Sequence, residues 1–331
     1  MPLNWAELAS YTQLFSILSS YTNSQITLPI RRIFLLKNRH ITWKGVVFDN
    51  LKVFVPSLVY PALESHYNGT FLFKQWFGKK ITLPNDIVFG LVYNHWASLN
   101  YYHWLIDTLP RLVALRNLHP DATIILPYSA TPYMMETVAL LGYKKTFKVP
   151  EDTSVKIPQL AFVEKAGTFL HQDAQLLLEI ASSIISQVAP IVTIPKRRIY
   201  ASRSRANIRK ISNESGLLCL LHKYNFEIIY FEDYAFTEQV KIMRDVDIII
   251  GLHGANLTNI LFMQKGTTVI ELMNSSSPNL VYFQLASYLE LSYYILPCMP
   301  DDDTGAHNDA NVLVDLLQVE NILQPIGNGQ V

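Results

Sequence analysis

The sequence has few charged residues and no excess of either sign. Its 331 residues include 27 lysines and arginines and 27 aspartates and glutamates, and only 16% of the chain is charged. An ordinary soluble domain is about one quarter charged. A chain with no net charge lacks the basic surplus that general binding to nucleic-acid phosphates requires. Because half of the residues are hydrophobic, the composition also excludes a disordered chain. We expect a folded protein with no nucleic-acid partner.

Cysteines and long apolar runs are also scarce. Cys219 and Cys298 are too few for a disulfide framework and have no zinc-site spacing. The strongest apolar run, Val246–Leu252, is far shorter than the ~20 residues that cross a bilayer. Residues 1–30 lack the basic start and apolar centre of a signal peptide. These absences predict a cytoplasmic protein without a transmembrane segment, leaving open a peripheral association with the inner membrane face.

The pattern of apolar residues predicts two α/β domains. Short β segments with breakers fill the first hundred residues, and Tyr101–Leu118 has the pattern of a helix interrupted by Pro110. Two prolines bracket residues 190–195, which we interpret as a linker. After it, strands alternate with helices, as in parallel βαβ units. We predict an N-terminal domain (1–190), a C-terminal domain (191–310), and a C-terminal helix and tail (311–331) that folds back on the N-terminal domain.

A strand-to-helix turn in the second half is a candidate anion site. The apolar strand after Asp247 leads into His253, Gly254 and Ala255, followed by Asn256 and a short helix. Unpaired N–H groups at a helix start can bind a diphosphate, and a glycine lets the backbone approach it closely. The alternative is a structural turn with a satisfied histidine.

Charged residues before and after this turn fit the same site. Seven cations and no carboxylate occupy residues 196–210, and Arg203 follows the first strand of the C-terminal domain. Its guanidinium could bind a diphosphate in bidentate fashion, or the segment could be a solvated basic loop. Glu214 would orient an arginine or favour the helix dipole. Glu271, at a strand end, could accept hydrogen bonds from ribose hydroxyls or simply be solvated.

A helical motif in the first half carries a candidate base. His103 and Asp107 are four residues apart and share one helix face. A histidine and a carboxylate among aromatic residues can act as a general base, and Trp104 could stack on a sugar. The alternative is a core helix in which Asp107 pairs with Arg111. The three consecutive aspartates at 301–303 lack a helper ligand at a diagnostic spacing, so we expect no metal site there.

In chain order, these motifs resemble those of glycosyltransferase family 61. The pattern H-W-x-x-D-x-x-P-R begins at His103, Y-x-S-R at Tyr200, N-E at Asn213, and H-G-A-x-L-T-N at His253. The resemblance implies a GT-B architecture, in which two Rossmann-like domains face a central cleft. It also implies inverting, metal-independent transfer from a nucleotide-sugar to a glycan or protein-linked acceptor. We expect a UDP-sugar as the donor and a glycan or glycolipid as the acceptor. Surface polysaccharide synthesis would be one such role.

An inverting transfer with no metal or other cofactor needs a base for the acceptor hydroxyl and stabilisation of the leaving diphosphate. Asp107 would be the base, with His103 as the substitute, because both lie on one helix face in the N-terminal half. The acceptor would contact Trp104 and Arg111. The donor would be bound by Arg203, Glu214, His253, Gly254, Ala255, Asn256 and Glu271.

Two positions depart from the family pattern. Asn256 replaces a glycine, and Gly216 replaces a second acid after Glu214. Two other functions stay open: a polysaccharide pyruvyl transferase that uses phosphoenolpyruvate, and a non-catalytic module that binds a nucleotide or glycan. A dehydrogenase is disfavoured because no G-x-G-x-x-G follows an N-terminal strand.

Overall fold

The computed structural model describes Asn4 and residues 30–67, 69–166, 173–189, 194–301 and 309–327. The chain forms two compact units, here called the N-terminal unit (Thr27–Gln187) and the C-terminal unit (Val188–Val331 with Met1–Ile26). The first four residues of the predicted linker, 190–193, lie outside the described residues, as do Asp302 and Asp303.

The N-terminal unit is built on an eight-stranded mixed sheet. Its strands are β1 (Ile33–Ile41), β2 (Val47–Asp49), β3 (Lys52–Val53), β4 (Lys79–Thr82), β5 (Phe89–Leu91), β6 (Thr123–Leu126), β7 (Thr146–Lys148) and β8 (Thr153–Val163). The strand order is β3-β2-β1-β8-β5-β6-β7, with β4 paired to β8. Strands β4, β5, β6 and β7 pair in parallel, and β1 runs antiparallel to β8. The helices are α1 (Glu64–Tyr67), α2 (Thr70–Phe77), α3 (Tyr101–His103), α4 (Leu109–Arg116), α5 (Pro132–Leu140) and α6 (Ala174–Val188).

The predicted helix around Pro110 is present, with a wider turn in its middle. Asn100 caps α3 by accepting the N–H of Tyr102 at 2.9 Å. Residues Trp104–Thr108 then form a π-helical turn in which the N–H of Leu109 reaches the carbonyl of Trp104, five residues back. Proline has no N–H, and its ring displaces the carbonyl four residues earlier, so a wider turn relieves the conflict. The chain therefore passes Pro110 without a break.

The C-terminal unit contains a six-stranded sheet in the order β10-β9-β11-β12-β13-β14. Its strands are β9 (Arg197–Ala201), β10 (Glu227–Ile229), β11 (Val246–Leu252), β12 (Thr268–Asn274), β13 (Ser292–Pro300) and β14 (Val312–Leu313). The helices are α7 (Glu214–Lys223), α8 (Phe236–Arg244), α9 (Val281–Tyr288) and α10 (Leu316–Gly327), and a 3-10 helix spans Ala255–Phe262. All strand pairs are parallel except β13 with β14. The α/β class and the parallel βαβ units are thus confirmed.

Strand β11 lies in the centre of this sheet, between β9 and β12. Its residues Ile248, Ile249 and Ile250 are at most 1% exposed, although neighbouring side chains point to opposite faces. An apolar run buried on both faces is typical of a parallel sheet covered by helices on each side. Among the described helices, none is long and apolar enough to span a membrane.

We predict that Ile250→Ala destabilises the protein by about 2–5 kcal/mol, because it leaves a cavity in the core. Ile228→Ala is the matched control, since Ile228 in β10 is 43% exposed. Its cost should stay below about 1 kcal/mol. Urea unfolding followed by far-UV circular dichroism measures both. Equal costs at the two positions would contradict the burial of β11 on both faces.

Candidate active site

Three of the predicted motifs meet at one edge of the C-terminal sheet. Arg203 follows β9, His253 follows β11, and Glu271 in β12 pairs with Gly251. Parallel strands end at the same edge, which is where open α/β sheets bind their ligands. The structure therefore brings together Arg203, His253 and Glu271 from segments nearly seventy residues apart in sequence.

The guanidinium of Arg203 lies directly against the backbone of Gly254. A Cβ atom placed on Gly254 would be 2.8 Å from Cζ of Arg203, closer than real contacts allow. The backbone of Gly254 is extended, with φ of 166°, so a side chain at this position would displace the flexible end of Arg203 rather than strain the backbone. Nε of Arg203 donates to the carbonyl of Arg209 at 3.3 Å, and Nη2 to that of Ile208 at 3.4 Å. Neutral carbonyl groups thus hold the cation in place.

Two arginines, Arg203 and Arg209, lie close enough together for their charges to interact. Burial and the neighbouring charge of Arg209 lower the pKa of Arg203. Nε of Arg209 is buried without a hydrogen-bond partner. Among the described residues, no ion pair involves either arginine. Partly buried cations without a partner are costly, so this arrangement is suited to an anionic ligand.

A buried carboxylate fixes the ring of His253. Nδ1 of His253 is hydrogen bonded to Oε1 of Glu271, and the hydroxyl of Tyr293 donates to Oε2. Glu271 has no exposed surface. Both carboxylate oxygens are therefore used inside the protein. The expected contact of Glu271 with a ribose is replaced by a role in orienting His253, because Glu271 lies inside the sheet rather than at its rim.

Tyr282 supports the same turn, and the sequence did not single it out. Its hydroxyl donates to the carbonyl of Gly254 at 2.6 Å, and its ring lies 5.2 Å from that of His253. Burial raises the pKa of Tyr282, so its hydroxyl stays a donor. Ala255 and Asn256 begin the 3-10 helix beside Gly254 and are half-buried.

Glu214 organises the loop that carries Arg203. Its Oε1 accepts the hydroxyls of Tyr200 and Ser202, each at 2.7 Å. The hydroxyl of Ser202 in turn accepts the N–H of Ser204 at 3.2 Å. Glu214 thus acts on the Arg203 loop through the side chains of Tyr200 and Ser202.

A pocket of about 250 Å³ opens beside these residues. Arg209 and His253 line it, and Asp309 adds a carboxylate. The remaining lining residues are Leu252, Asn274, Ser277, Asn279, Ala310 and Val312. One guanidinium, the imidazole of His253, two amides and a hydroxyl together can bind a phosphorylated, hydroxyl-rich ligand. Among the described residues, no group of three or more His, Cys, Asp or Glu side chains is placed to hold a metal ion.

The second candidate cluster lies in the N-terminal unit. Oδ2 of Asp107 contacts Nδ1 of His103 at 2.8 Å and Nζ of Lys165 at 3.0 Å. Burial by itself would raise the pKa of Asp107, but the hydrogen bond from His103 and the charge of Lys165 hold it below its ordinary value. Oδ1 of Asp107 is buried without a hydrogen-bond partner. The π turn places this pair on one face of the helix.

Lys165 is a site residue that the sequence analysis missed. It is the second residue after β8, which ends at Val163, and charged residues close behind an apolar strand are the signal that could have revealed it.

Trp104 and Arg111 lie in the core, so neither can contact an acceptor as expected. Trp104 has no exposed surface, and its Nε1 donates to the hydroxyl of Thr137 at 2.9 Å. Nε of Arg111 donates to the carbonyl of Val163 at 2.6 Å, and burial lowers the pKa of Arg111 to about 9. The core-helix interpretation holds for these two residues, whereas Asp107 pairs with His103 and Lys165.

We predict that Lys165→Met raises the pKa of Asp107 toward its ordinary value of about 3.9, because it removes an attractive charge. Since the folded pKa lies below the unfolded one, ionised Asp107 contributes stability that is present above the unfolded pKa and lost as the pH falls through the folded pKa. Below about pH 4, wild type should therefore lose more stability than Lys165→Met. Carboxyl ¹³C NMR titration and urea unfolding measure the two effects.

Lys265→Met is the control for this charge, because Lys265 pairs at 2.5 Å with Glu290 on the surface. It should leave the titration of Asp107 unchanged. An unchanged Asp107 titration in Lys165→Met would contradict the proposed charge balance.

Segments of this chain are similar to named glycosyltransferases. The EGF domain-specific O-linked N-acetylglucosamine transferase of Drosophila melanogaster is 40% identical over 91 residues, 26% of this chain and 17% of that protein. The rat (Rattus norvegicus) protein of the same name is 33% identical over 121 residues, 34% and 23% of the two chains. Protein O-linked-mannose beta-1,4-N-acetylglucosaminyltransferase 2 of Pan troglodytes is 36% identical over 73 residues, 21% and 12%. The chain thus matches less than a quarter of the length of these curated relatives.

The family model described as Glycosyltransferase 61 matches residues 101–270, just over half of the chain. The matched range contains the pair of His103 and Asp107, the Arg203 loop and the turn at His253. The chain belongs to glycosyltransferase family 61.

Proposed function

We propose that this chain transfers a sugar from a nucleotide-sugar to a glycan acceptor with inversion at the anomeric carbon. The observation that carries the proposal is the guanidinium of Arg203, which lies half-buried against Gly254 with Arg209 nearby and no ion pair among the described residues. A diphosphate supplies the missing negative charge. Because the relatives are named as N-acetylglucosamine transferases, we propose UDP-N-acetylglucosamine as the donor.

The proposal includes a GT-B architecture. Residues 191–310 would bind the donor and residues 1–190 the acceptor. Helix α10 of the predicted tail (311–331) buries Val319, Ile322 and Leu323 in the core of the C-terminal unit, so this helix belongs to that unit rather than packing back on the N-terminal domain. The support for this architecture is that each unit has its own sheet and its own histidine–carboxylate pair. The cytoplasmic location, the glycolipid acceptor and the role in surface polysaccharide synthesis stay predictions from the sequence.

On the donor side, the leaving diphosphate gains negative charge as the glycosidic bond breaks. Arg203 and the N–H groups of Gly254 and Ala255 would stabilise that charge without a metal ion. His253 keeps its Nδ1 on Glu271 and would donate to a phosphate oxygen from Nε2 when protonated. Donors that are already held in place need little reorientation when the transition state forms. Losing one such donor lowers kcat by about 10²–10³.

On the acceptor side, the structure favours His103 over Asp107 as the base. Asp107 is a weak proton acceptor, because its pKa lies below the ordinary value. As a hydrogen-bond acceptor it can hold Nδ1–H of His103, which makes Nε2 the basic nitrogen of the neutral ring. The acceptor oxygen would then attack the anomeric carbon, its proton would move to Nε2, and the bond to the diphosphate oxygen would break.

We predict that Arg203→Ala weakens UDP binding by about 10- to 100-fold, because charge-assisted hydrogen bonds are lost. Arg205→Ala is the matched control from the same basic segment, since Arg205 is exposed and pairs with Asp233 at 2.6 Å. It should leave the affinity within about twofold, as expected for an exposed pair. Isothermal titration calorimetry measures both. Unchanged affinity in Arg203→Ala would remove this residue from the donor site.

We predict that His103→Ala and Asp107→Asn each lower kcat by about 10²–10⁴, the usual contribution of general-base catalysis. Added imidazole should restore part of the turnover of His103→Ala and none of that of Asp107→Asn. Rescue of Asp107→Asn by formate, with no imidazole rescue, would make Asp107 the base. Near-wild-type turnover in both variants would exclude the pair.

The two other candidate functions are separated by the same assays. A pyruvyl transferase would consume phosphoenolpyruvate and leave the UDP-sugar intact. A non-catalytic module would bind UDP without turning over any donor. A thermal-shift screen of UDP-, GDP-, CMP- and dTDP-sugars identifies the nucleotide, because a ligand at 100 times its Kd stabilises by about 2.7 kcal/mol.

A further inference from the structure

Two partly exposed aromatic side chains lie beside the pair of His103 and Asp107. The ring of Trp96 is 5.1 Å from the ring of His103, at an interplanar angle of 45°. The ring of Tyr60 meets Trp96 edge-on at 5.1 Å, and Tyr60 is 45% exposed. Trp96 therefore lies against the candidate base His103, and Tyr60 lies on Trp96, all in the N-terminal unit.

The loop that carries Trp96, residues 92–100, is held by its own hydrogen bonds. Oδ1 of Asn94 accepts the N–H of Ala97 at 3.1 Å, and its carbonyl accepts the N–H of Ser98 at 3.1 Å. The hydroxyl of Ser98 donates to the carbonyl of His95 at 2.6 Å. Asn94 and Ser98 are both buried. The backbone on both sides of Trp96 is thus held by hydrogen bonds within the loop.

His95, the residue before Trp96, suits a neutral, hydroxyl-rich ligand. Burial lowers the pKa of His95, and the charges of Lys44 and His66 lower it further. A neutral imidazole can both donate to and accept from a hydroxyl group. An extended peptide would instead need a row of backbone N–H and carbonyl groups free to pair with it. Several such groups in this loop already form hydrogen bonds within the loop.

We propose that Trp96 and Tyr60 form the subsite for the acceptor sugar. The C–H face of a pyranose ring packs on the aromatic surface, and one of its hydroxyls then lies beside His103. This inference rests on the proposed function and names its acceptor as a sugar hydroxyl rather than a serine or threonine of an unmodified protein. Trp96 would then make the contact with the acceptor sugar that was expected of Trp104, which is buried.

Saturation-transfer difference NMR on the full chain tests this subsite. The probes are the methyl pyranosides of mannose, glucose, galactose and xylose, each with and without UDP, and a threonine-containing peptide without sugar. At least one pyranoside should receive saturation on the C–H groups of one ring face. Trp96→Ala should weaken that binding about tenfold, and Trp96→Phe should keep most of it, because an aromatic ring remains.

Phe77→Ala is the matched control, since Phe77 is 65% exposed and lies on α2 in the same unit. It should leave the signals unchanged, and thermal unfolding should verify that each variant is folded. Saturation of no pyranoside, unchanged binding in folded Trp96→Ala, or a Trp96-dependent signal from the peptide alone would each overturn the subsite. These outcomes are independent of UDP binding to the other unit, so a failed subsite is distinguishable from a failed donor site.

Discussion

The contact between the guanidinium of Arg203 and the backbone of Gly254 is the constraint on which the proposed donor site depends. A Cβ at position 254 would lie 2.8 Å from Cζ of the arginine, so a side chain there would displace the guanidinium. Tyr282 holds the carbonyl of that glycine from one side. Glu214 holds the arginine loop from the other, through Ser202. The result is a cation fixed beside backbone N–H groups, which is an arrangement that favours a diphosphate.

Each unit also contains a histidine whose Nδ1 is fixed by a buried carboxylate. In the C-terminal unit Glu271 binds His253, and its other oxygen is satisfied by the neutral hydroxyl of Tyr293. In the N-terminal unit Asp107 binds His103, and a lysine ammonium shares the same oxygen. Both pairs fix the orientation of the imidazole ring. The third partner thus differs between the pairs: a neutral hydroxyl in the C-terminal unit and a charged ammonium in the N-terminal unit.

The sequence predicted what local spacing determines and missed what the tertiary fold determines. The parallel strands were predicted from apolar strands that alternate with helices along the chain. The shared face of His103 and Asp107 was predicted from their spacing of four residues on a helix. The contact of Lys165 with Asp107 spans 58 residues, and that of Tyr282 with Gly254 spans 28, so no local pattern contains them. A strand-end glutamate looks the same in sequence whether it faces water or, like Glu271, the core. Because burial depends on the tertiary fold, the sequence also could not show that Trp104 is buried while Trp96 stays partly exposed.

Calorimetry with uridine, UMP and UDP tests whether the proposed donor site binds a diphosphate through charge. Each added phosphate would engage more of the groups at Arg203 and Gly254. We therefore expect UDP to bind at least about 100-fold more tightly than uridine, with UMP between them. The affinity of UDP should also fall as the salt concentration rises. Equal affinities for uridine and UDP, or binding of UDP that does not respond to salt, would contradict binding through charge.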